Sequence, residues 1–359
     1  MAGVAGHPFG IAPAEESAGA LHAAAHDPAC TTSAEPAAAR LARRRWLCER
    51  RSIMARQIGA LRGWLETAAL APPWAILRAL PLERAVRVGA ALAPIVAAFD
   101  RHNRAIAMRN LEIAFPEKSL ARRRAIQHDT WRNFGRMAAE WVHFFDLNPG
   151  NIARYVTYDG RENWDEAVRL SAGRGILVLT GHFGNFELLS VGHSLHGHPI
   201  AIVQRPNRNP VIDRAVAARR LRHGNLTISR KGAGREVLRL LRQNWMVAVP
   251  LDLDVRHGLF VDFFSLKAST SDALARLAVA TRAPVLPAFM VRDGTSTRHR
   301  ITILPPIEAH RSADRDKMLL RYTQQFTTIF EDMVRRYPDH WNWIHRRWKT
   351  RPPGAPRFY

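Results

Sequence analysis

Cysteine is nearly absent from this sequence: Cys30 and Cys48 are the only two in 359 residues. Two thiols near one end of the chain cannot frame a disulfide scaffold, and no Cys-based zinc site can be built from them. Nothing in the folded part marks an oxidising compartment, so a cytosol-facing protein is expected. No uncharged apolar run reaches the roughly 18 residues of a clear membrane-spanning helix. No unit of about 20–50 residues recurs, which sets solenoids and propellers aside. The Ala-, His- and Pro-rich start lacks a basic stretch followed by a continuous apolar one, so it does not read as a secretory signal. Residues 1–53 are expected to be a disordered, Ala-rich extension that turns basic at 41–53, with Met54 an alternative start.

Acidic residues are the other shortage, with 31 Asp+Glu against 53 Lys+Arg and a formal net charge of +22. Such a balance calls for anionic partners, whether nucleic acid, an anionic membrane, a phosphorylated substrate or an acidic protein, and is silent about fold. No motif that reads DNA or RNA accompanies it, and Arg and Trp are spread along the chain, so nucleic acid is not expected. Lys-Gly-Ala-Gly at 231–234 lacks the Gly-Lys-Ser/Thr ending of a phosphate loop, which argues against an NTPase.

Two short apolar pieces are present. Ala68–Leu77 is interrupted by Pro72 and Pro73, and Val88–Phe99 runs without a charge. Each is too short to cross a bilayer. Flanked by Arg56, Arg62, Arg78, Arg84 and Arg87, residues 54–100 suit a membrane-associating helical segment with Trp64 and Trp74 near headgroup level. A pair of buried helices is the alternative. Residues 100–150 read as helical, with one helix ending at Pro116. In the next, Trp131, Phe134, Met137, Trp141 and Phe144 recur at helical spacing.

Beyond that the grammar changes. Short apolar runs at 175–180, 200–204, 226–229, 245–251, 285–291 and 300–304 alternate with helical stretches at 210–223, 235–243, 271–281 and 314–336. This predicts an α/β fold with a largely parallel central sheet flanked by helices over 101–353. Ligands of such sheets bind at the carboxyl ends of the strands.

The sharpest local feature is Leu-Thr-Gly-His-Phe-Gly-Asn-Phe-Glu at 179–187. A strand delivers His182 at its carboxyl end, between Gly181 and Gly184, which permit a tight turn. On one continuous helix His182 and Glu187 would point about 140° apart. They meet only if His182 precedes the helix and Glu187 sits in its first turn. In that arrangement the imidazole takes a proton from a hydroxyl and the carboxylate holds the other ring nitrogen. Amides at the helix start could steady a developing oxyanion. The pattern lacks the His-Glu-x-x-His of a zinc helix, so no metal is expected. Further cations and carboxylates recur just after strands, at 205–213, 230–234 and 251–254, and 340–352 is rich in His, Trp and Arg.

From about residue 57 to 353 the sequence resembles the late acyltransferases of lipid A biosynthesis, the lauroyl/myristoyl transferase type within the lysophospholipid acyltransferase superfamily. The motifs that carry the resemblance are Arg-Asn-Leu-Glu-Ile-Ala-Phe-Pro at 109–116, His-Phe-Gly-Asn-Phe-Glu at 182–187, Arg-Pro-Asn-Arg-Asn-Pro with Asp213 at 205–213, Asp-Leu-Asp at 252–254 and Arg-Arg-Trp-Lys-Thr-Arg-Pro at 346–352. Leu253 departs from the polar residue common between the two aspartates.

The resemblance implies a glycerolipid-acyltransferase-like fold and transfer of a fatty acyl group to a lipid hydroxyl. His182 would be the base, Glu187 its partner, and Arg220 and Asp252 further catalytic residues. Arg205, Asn209, Asp213, Arg230, Lys231 and Asp254 would contact substrate. Acyl-acyl carrier protein would be the donor and a glycolipid, a lipid A precursor, the acceptor, with no bound cofactor. Anionic membrane lipids would be partners at the cytosolic face of the inner membrane, held peripherally or by a single N-terminal anchor. A phosphatidylinositol mannoside, lysophospholipid or ornithine lipid is the alternative acceptor.

Overall fold

In the computed structural model the described residues are 63–64, 67–207, 209–230 and 232–359. The expectations for residues 1–53, for Arg56 and Arg62 and for Lys231 lie outside them. Among the described residues, seven strands form one sheet: β1 (Val156–Asp159), β2 (Ile176–Thr180), β3 (Ile200–Gln204), β4 (Leu226–Ser229), β5 (Met246–Pro250), β8 (Val285–Arg292) and β9 (His299–Ile303). Their order is β1-β9-β8-β2-β5-β3-β4. β8, β2, β5, β3 and β4 run parallel. β9 lies antiparallel to β8, and β1 parallel to β9. A separate antiparallel hairpin joins β6 (Leu259–Phe263) to β7 (Leu266–Thr270).

Every residue of β2 and β8 is buried, as in a sheet covered on both faces. The period of two assigns alternate residues of one strand to different cores. Leu177 and Leu179 of β2, with Val247 and Val249 of β5, pack beneath helices α8 (Ala233–Arg242), α9 (Ala273–Thr281) and α10 (Arg315–Arg336). Ile176 and Val178, with Met246 and Ala248, face Trp164 of α5 (Arg161–Ser171) and Leu188 and Leu189 of α6 (Phe186–Leu195). A third cluster is aromatic. It gathers Phe183, Phe263, Phe289, Phe330, Trp341 and Trp348.

The parallel strands and the four helices predicted between and after them are present within a few residues of their predicted bounds. Three elements were not predicted. β1 is a four-residue edge strand, and α5 has only two apolar residues that reach the core, Trp164 and Ala167. The β6–β7 turn is made by Phe264 and Ser265, both at positive φ (53° and 58°), where a tight hairpin signal would show Asn-Gly or Asp-Gly.

The helical N-terminal half differs in detail. Helix α1 (67–79) runs through Pro72 and Pro73. Prolines there remove backbone hydrogen bonds, and tertiary contacts hold the helix instead. The Arg78 guanidinium donates to both carboxylate oxygens of Asp146 at 2.6 and 2.7 Å, and Trp74 lies 4.9 Å from Trp141. Helix α2 (Leu82–Phe99) crosses α4 (Leu120–His143) so closely that a Cβ on Gly89 would stand 2.3 Å from the Gly135 carbonyl oxygen. Half of α2 is therefore buried, while Leu92, Ile95, Val96 and Phe99 are exposed. The expected aromatic stripe on α4 is only half-buried. Its buried face is largely polar, with Gln127, Asn133, Arg136 and Glu140. Between them runs α3 (Arg101–Ala114), and α7 spans Pro210–Arg222.

Candidate active site

Register sets the site's floor. Thr180 of β2 lies beside Pro250 of β5, Ile202 of β3 beside Ala248, and Gln204 beside Ser229 of β4. Four neighbouring parallel strands therefore end level, and the residues that follow them include His182, Asp252, Arg205 and Arg230. No local pattern links these positions. They converge because parallel strands in register present their carboxyl ends together.

His182 precedes α6, as expected, in a turn that only glycine permits. Gly184 has φ +53°, and a Cβ there would stand 1.9 Å from the Met290 carbonyl oxygen. The turn is sutured to the C-terminal motif. The Gly184 amide donates to the His340 carbonyl at 2.7 Å and the Asn342 amide to the His182 carbonyl at 3.2 Å. Asn185 caps α6 by accepting from the Leu188 amide at 3.1 Å. Its own amide donates to Glu140 at 2.7 Å, and Glu140 is locked in a buried ion pair with Arg292.

The carboxylate on the His182 ring is Asp252, not Glu187. Nδ1 lies 3.1 Å from Asp252 Oδ1, and the His182 backbone N–H donates to Oδ2 at 3.0 Å. The Trp341 indole N–H donates to the same Oδ2 at 3.1 Å. This fixes the proton on Nδ1 and leaves Nε2 without a hydrogen bond among the described residues. The ring keeps 29% of its side-chain surface exposed, while Asp252 is buried. Burial pushes the His182 pKa down, but the charge and hydrogen bond of Asp252 and the charge of Glu187 outweigh it and hold it above the ordinary value. Burial likewise works against ionised Asp252, yet His182, Trp341 and the backbone N–H bring its pKa to about 2.

Glu187 occupies the first turn of α6, as expected, but its carboxylate takes the fork of Arg220: Nη2 donates at 2.5 Å and Nε at 3.1 Å. Arg220 Nη1 donates to Gln204 at 2.7 Å. Both charges are nearly buried. The four expected catalytic residues thus form two couples, His182–Asp252 and Glu187–Arg220.

The expected substrate-binding residues divide. Arg205 and Arg230 are exposed at the strand ends. Asn209 is buried and caps α7, accepting from the Val211 and Ile212 amides at 2.9 and 3.3 Å. Asp213 accepts from the Asn207 amide at 2.8 Å. Asp254 takes both the Thr350 amide, at 3.0 Å, and its hydroxyl, at 2.9 Å. Asn209, Asp213 and Asp254 are thus engaged in positioning backbone. Trp341, Gln204 and Asn185 were not expected in the site. Trp341 lies in the His-, Trp- and Arg-rich stretch at 340–352, but its reach to Asp252 spans 89 residues of sequence. Arg347 of that stretch is 1% exposed and donates to the Ser269 carbonyl at 2.9 Å, so this part of the basic tail is core rather than surface. Among the described residues no group of three His, Cys, Asp or Glu side chains is placed to hold a metal ion.

A family model, the bacterial lipid A biosynthesis acyltransferase, matches residues 53–350, and the chain belongs to that family. The lipid A biosynthesis lauroyltransferase of Escherichia coli is 28% identical over 83% of this chain and 95% of its own length. The corresponding myristoyltransferase is 28% identical over 72% and 79%, and the palmitoleoyltransferase 25% over 83% and 95%. A solved 1-acyl-sn-glycerophosphate acyltransferase from Thermotoga maritima aligns at 15% identity with a TM-score of 0.31, over 65% of this chain and 97% of that one; nothing further rests on it.

Proposed function

We propose that this enzyme transfers a fatty acyl group from acyl-acyl carrier protein to a hydroxyl of a lipid A precursor, with His182 as general base. The observation that carries the reading is the His182–Asp252 couple at the carboxyl ends of β2 and β5, its Nε2 unengaged. Nε2 removes the hydroxyl proton as the oxygen attacks the thioester carbonyl. The new C–O bond forms a tetrahedral oxyanion, which first-turn amides of α6 can steady because they have no intrahelical acceptor. Collapse breaks the C–S bond, and the imidazolium returns its proton to the departing thiolate. Asp252 holds the ring in the productive tautomer and stabilises its cationic form. Glu187 and Arg220 hold α6 and α7 together beside the couple.

Arg205 and Arg230 are exposed cations at the strand ends, suited to phosphate or sugar-acid oxygens of the acceptor, and Lys231 follows Arg230 in the sequence. Asn209, Asp213 and Asp254 support the substrate surface from beneath. The net charge of +22 suits an acidic carrier protein and an anionic membrane. No described helix is long and apolar enough to cross a membrane. The exposed side of α2, with Val96 at 69% and Phe99 at 85%, suits an interfacial attachment to the cytosolic face of the inner membrane.

The test offers labelled acyl-acyl carrier protein with a tetra-acylated lipid A precursor and, separately, with a lysophospholipid. Transfer to the precursor, falling about 10²–10⁴-fold in His182→Ala, is expected. Undiminished transfer by His182→Ala would remove the general base, and transfer to lysophospholipid alone would replace the acceptor.

A further inference from the structure

A second site lies outside the His182 couple, where α7, α1 and the end of α4 meet. They line an open groove of about 660 Å³ whose walls include Trp74, Trp141, Phe145, Ala218, Arg219 and Arg222. Arg219 is 6% exposed. Its guanidinium is sandwiched between rings, 3.8 Å from the Trp141 centroid and 4.0 Å from that of Phe145. One nitrogen, Nη1, donates to the Trp141 carbonyl. The Nε is buried with no hydrogen-bond partner, and Nη2 has none among the described residues. No described carboxylate lies within ion-pair distance of it.

The nearby charge of Glu187 favours the cation, but that carboxylate is taken by the Arg220 fork, so Arg219 is buried without an ion-pair partner, and the unmade hydrogen bond of Nε adds to the cost. Stacking on two aromatic faces leaves only the guanidinium edge for further contact, and because Nε is itself buried, Nη2 is the donor that an anion can reach. Arg222 lies one turn along α7, 5.3 Å from the Phe145 ring, with no carboxylate partner among the described residues. Arg78, across the groove, is already matched by Asp146. Two cations thus await negative charge at the rim of an apolar groove. Ile76 of α1, Leu221 of α7 and Phe145 in the turn just after α4 are all exposed beside it.

We propose that this groove binds one phosphate-bearing lipid. Its phosphate oxygens take Nη2 of Arg219 and the Arg222 head, and an acyl chain lies against Trp74, Trp141 and Phe145. Both halves of the groove are needed for this occupant. A free anion would leave the aromatic walls wet, and a neutral amphiphile would leave Arg219 unpaired. Arg219 is adjacent to Arg220 but turned about 100° away on the helix, so it makes no hydrogen bond to Glu187, although it feels that charge. The assignment is read by binding and does not depend on the proposed acyl transfer.

The test is calorimetric titration of the full chain, in one fixed alkyl maltoside, with three probes. These are dihexanoyl phosphatidic acid, dihexanoylglycerol and inorganic phosphate. The first is expected to bind at least about tenfold more tightly than either of the others. Arg219→Gln is expected to remove that advantage, a loss of about tenfold or more, the size of a charge-assisted hydrogen bond. Ala218→Phe, which places a ring in the groove and keeps both cations, is expected to weaken phosphatidic acid without changing the circular dichroism, so that loss of binding is separable from loss of fold. Equal binding of dihexanoylglycerol would reduce the site to an apolar groove. Equal binding of inorganic phosphate would make it an anion site with no lipid. Undiminished phosphatidic acid binding by both variants would place the ligand elsewhere.

Discussion

Gly181 and Asp252 stand so close that a Cβ on the glycine would lie 2.8 Å from the Asp252 carboxyl carbon and 2.4 Å from the Phe330 ring. The missing side chain is what lets a buried carboxylate reach the His182 ring and backbone N–H together. Gly181→Ala is therefore expected to push Asp252 off Nδ1 and lower acyl transfer by about 10²-fold, the loss associated with misplacing a catalytic group by an ångström. Thermal unfolding of the same variant checks that the fold survives.

The Asp252–His182 couple sets a pH dependence. Folding raises the His182 pKa, so transfer should climb as the ring deprotonates, with a midpoint above the ordinary histidine value. Asp252→Asn removes the attraction that opposes burial, so its midpoint should shift to lower pH while the plateau rate falls. A pH–rate profile of both proteins reads the two effects separately, and an unmoved midpoint would break the link. Stability follows the same sign rules. The His182 contribution is complete below the ordinary histidine pKa and is lost as pH rises through the raised one. That of Asp252, held at about 2, is lost only as pH falls toward that value.

Glu187 and Arg220 are a nearly buried pair, with the Nη2–Oε1 contact at 2.5 Å. Removing either partner leaves the other charge uncompensated, so Glu187→Gln and Arg220→Gln should each destabilise by about 3–5 kcal/mol. The double variant should lose less than the sum of the two, by about 0.5–3 kcal/mol. Chemical denaturation of the four proteins measures this. Strict additivity would mean that the pair is not coupled.

The exposed apolar side of α2 offers a simpler test. Val96→Asp and Phe99→Asp add charge where neither side chain touches the core, so the folded state should be nearly unaffected. Affinity for anionic liposomes, read by sedimentation, should fall by at least about a hundredfold for the pair, since two large apolar contacts are worth about 1.5–3 kcal/mol each. Co-sedimentation at the level of the unmodified chain would remove α2 from the membrane contact.

Much of this protein follows from local chemistry alone. Runs such as Ile176–Thr180 and Met246–Pro250 are continuous and apolar because both faces of their strands are covered. That pattern, alternating with helices, is enough to predict a parallel α/β sheet and to put His182 between a strand end and α6. The motifs at 182–187, 205–213 and 252–254 likewise carry the family without any coordinates. What spacing along the chain could not supply is partnership. Glu187, five residues from His182, is the nearer carboxylate in sequence, yet its fork belongs to Arg220. Asp252, 70 residues away, takes Nδ1 because β2 and β5 are neighbours in register and Gly181 leaves room between them. Trp341 and Arg347, which sequence alone could leave on a solvated tail, are core because the aromatic cluster closes over the strand ends. A side chain's periodicity is set by the backbone bonds beside it. Its contacts are set by which distant segments the sheet's pairing order brings within a few ångströms, and only the folded chain decides that.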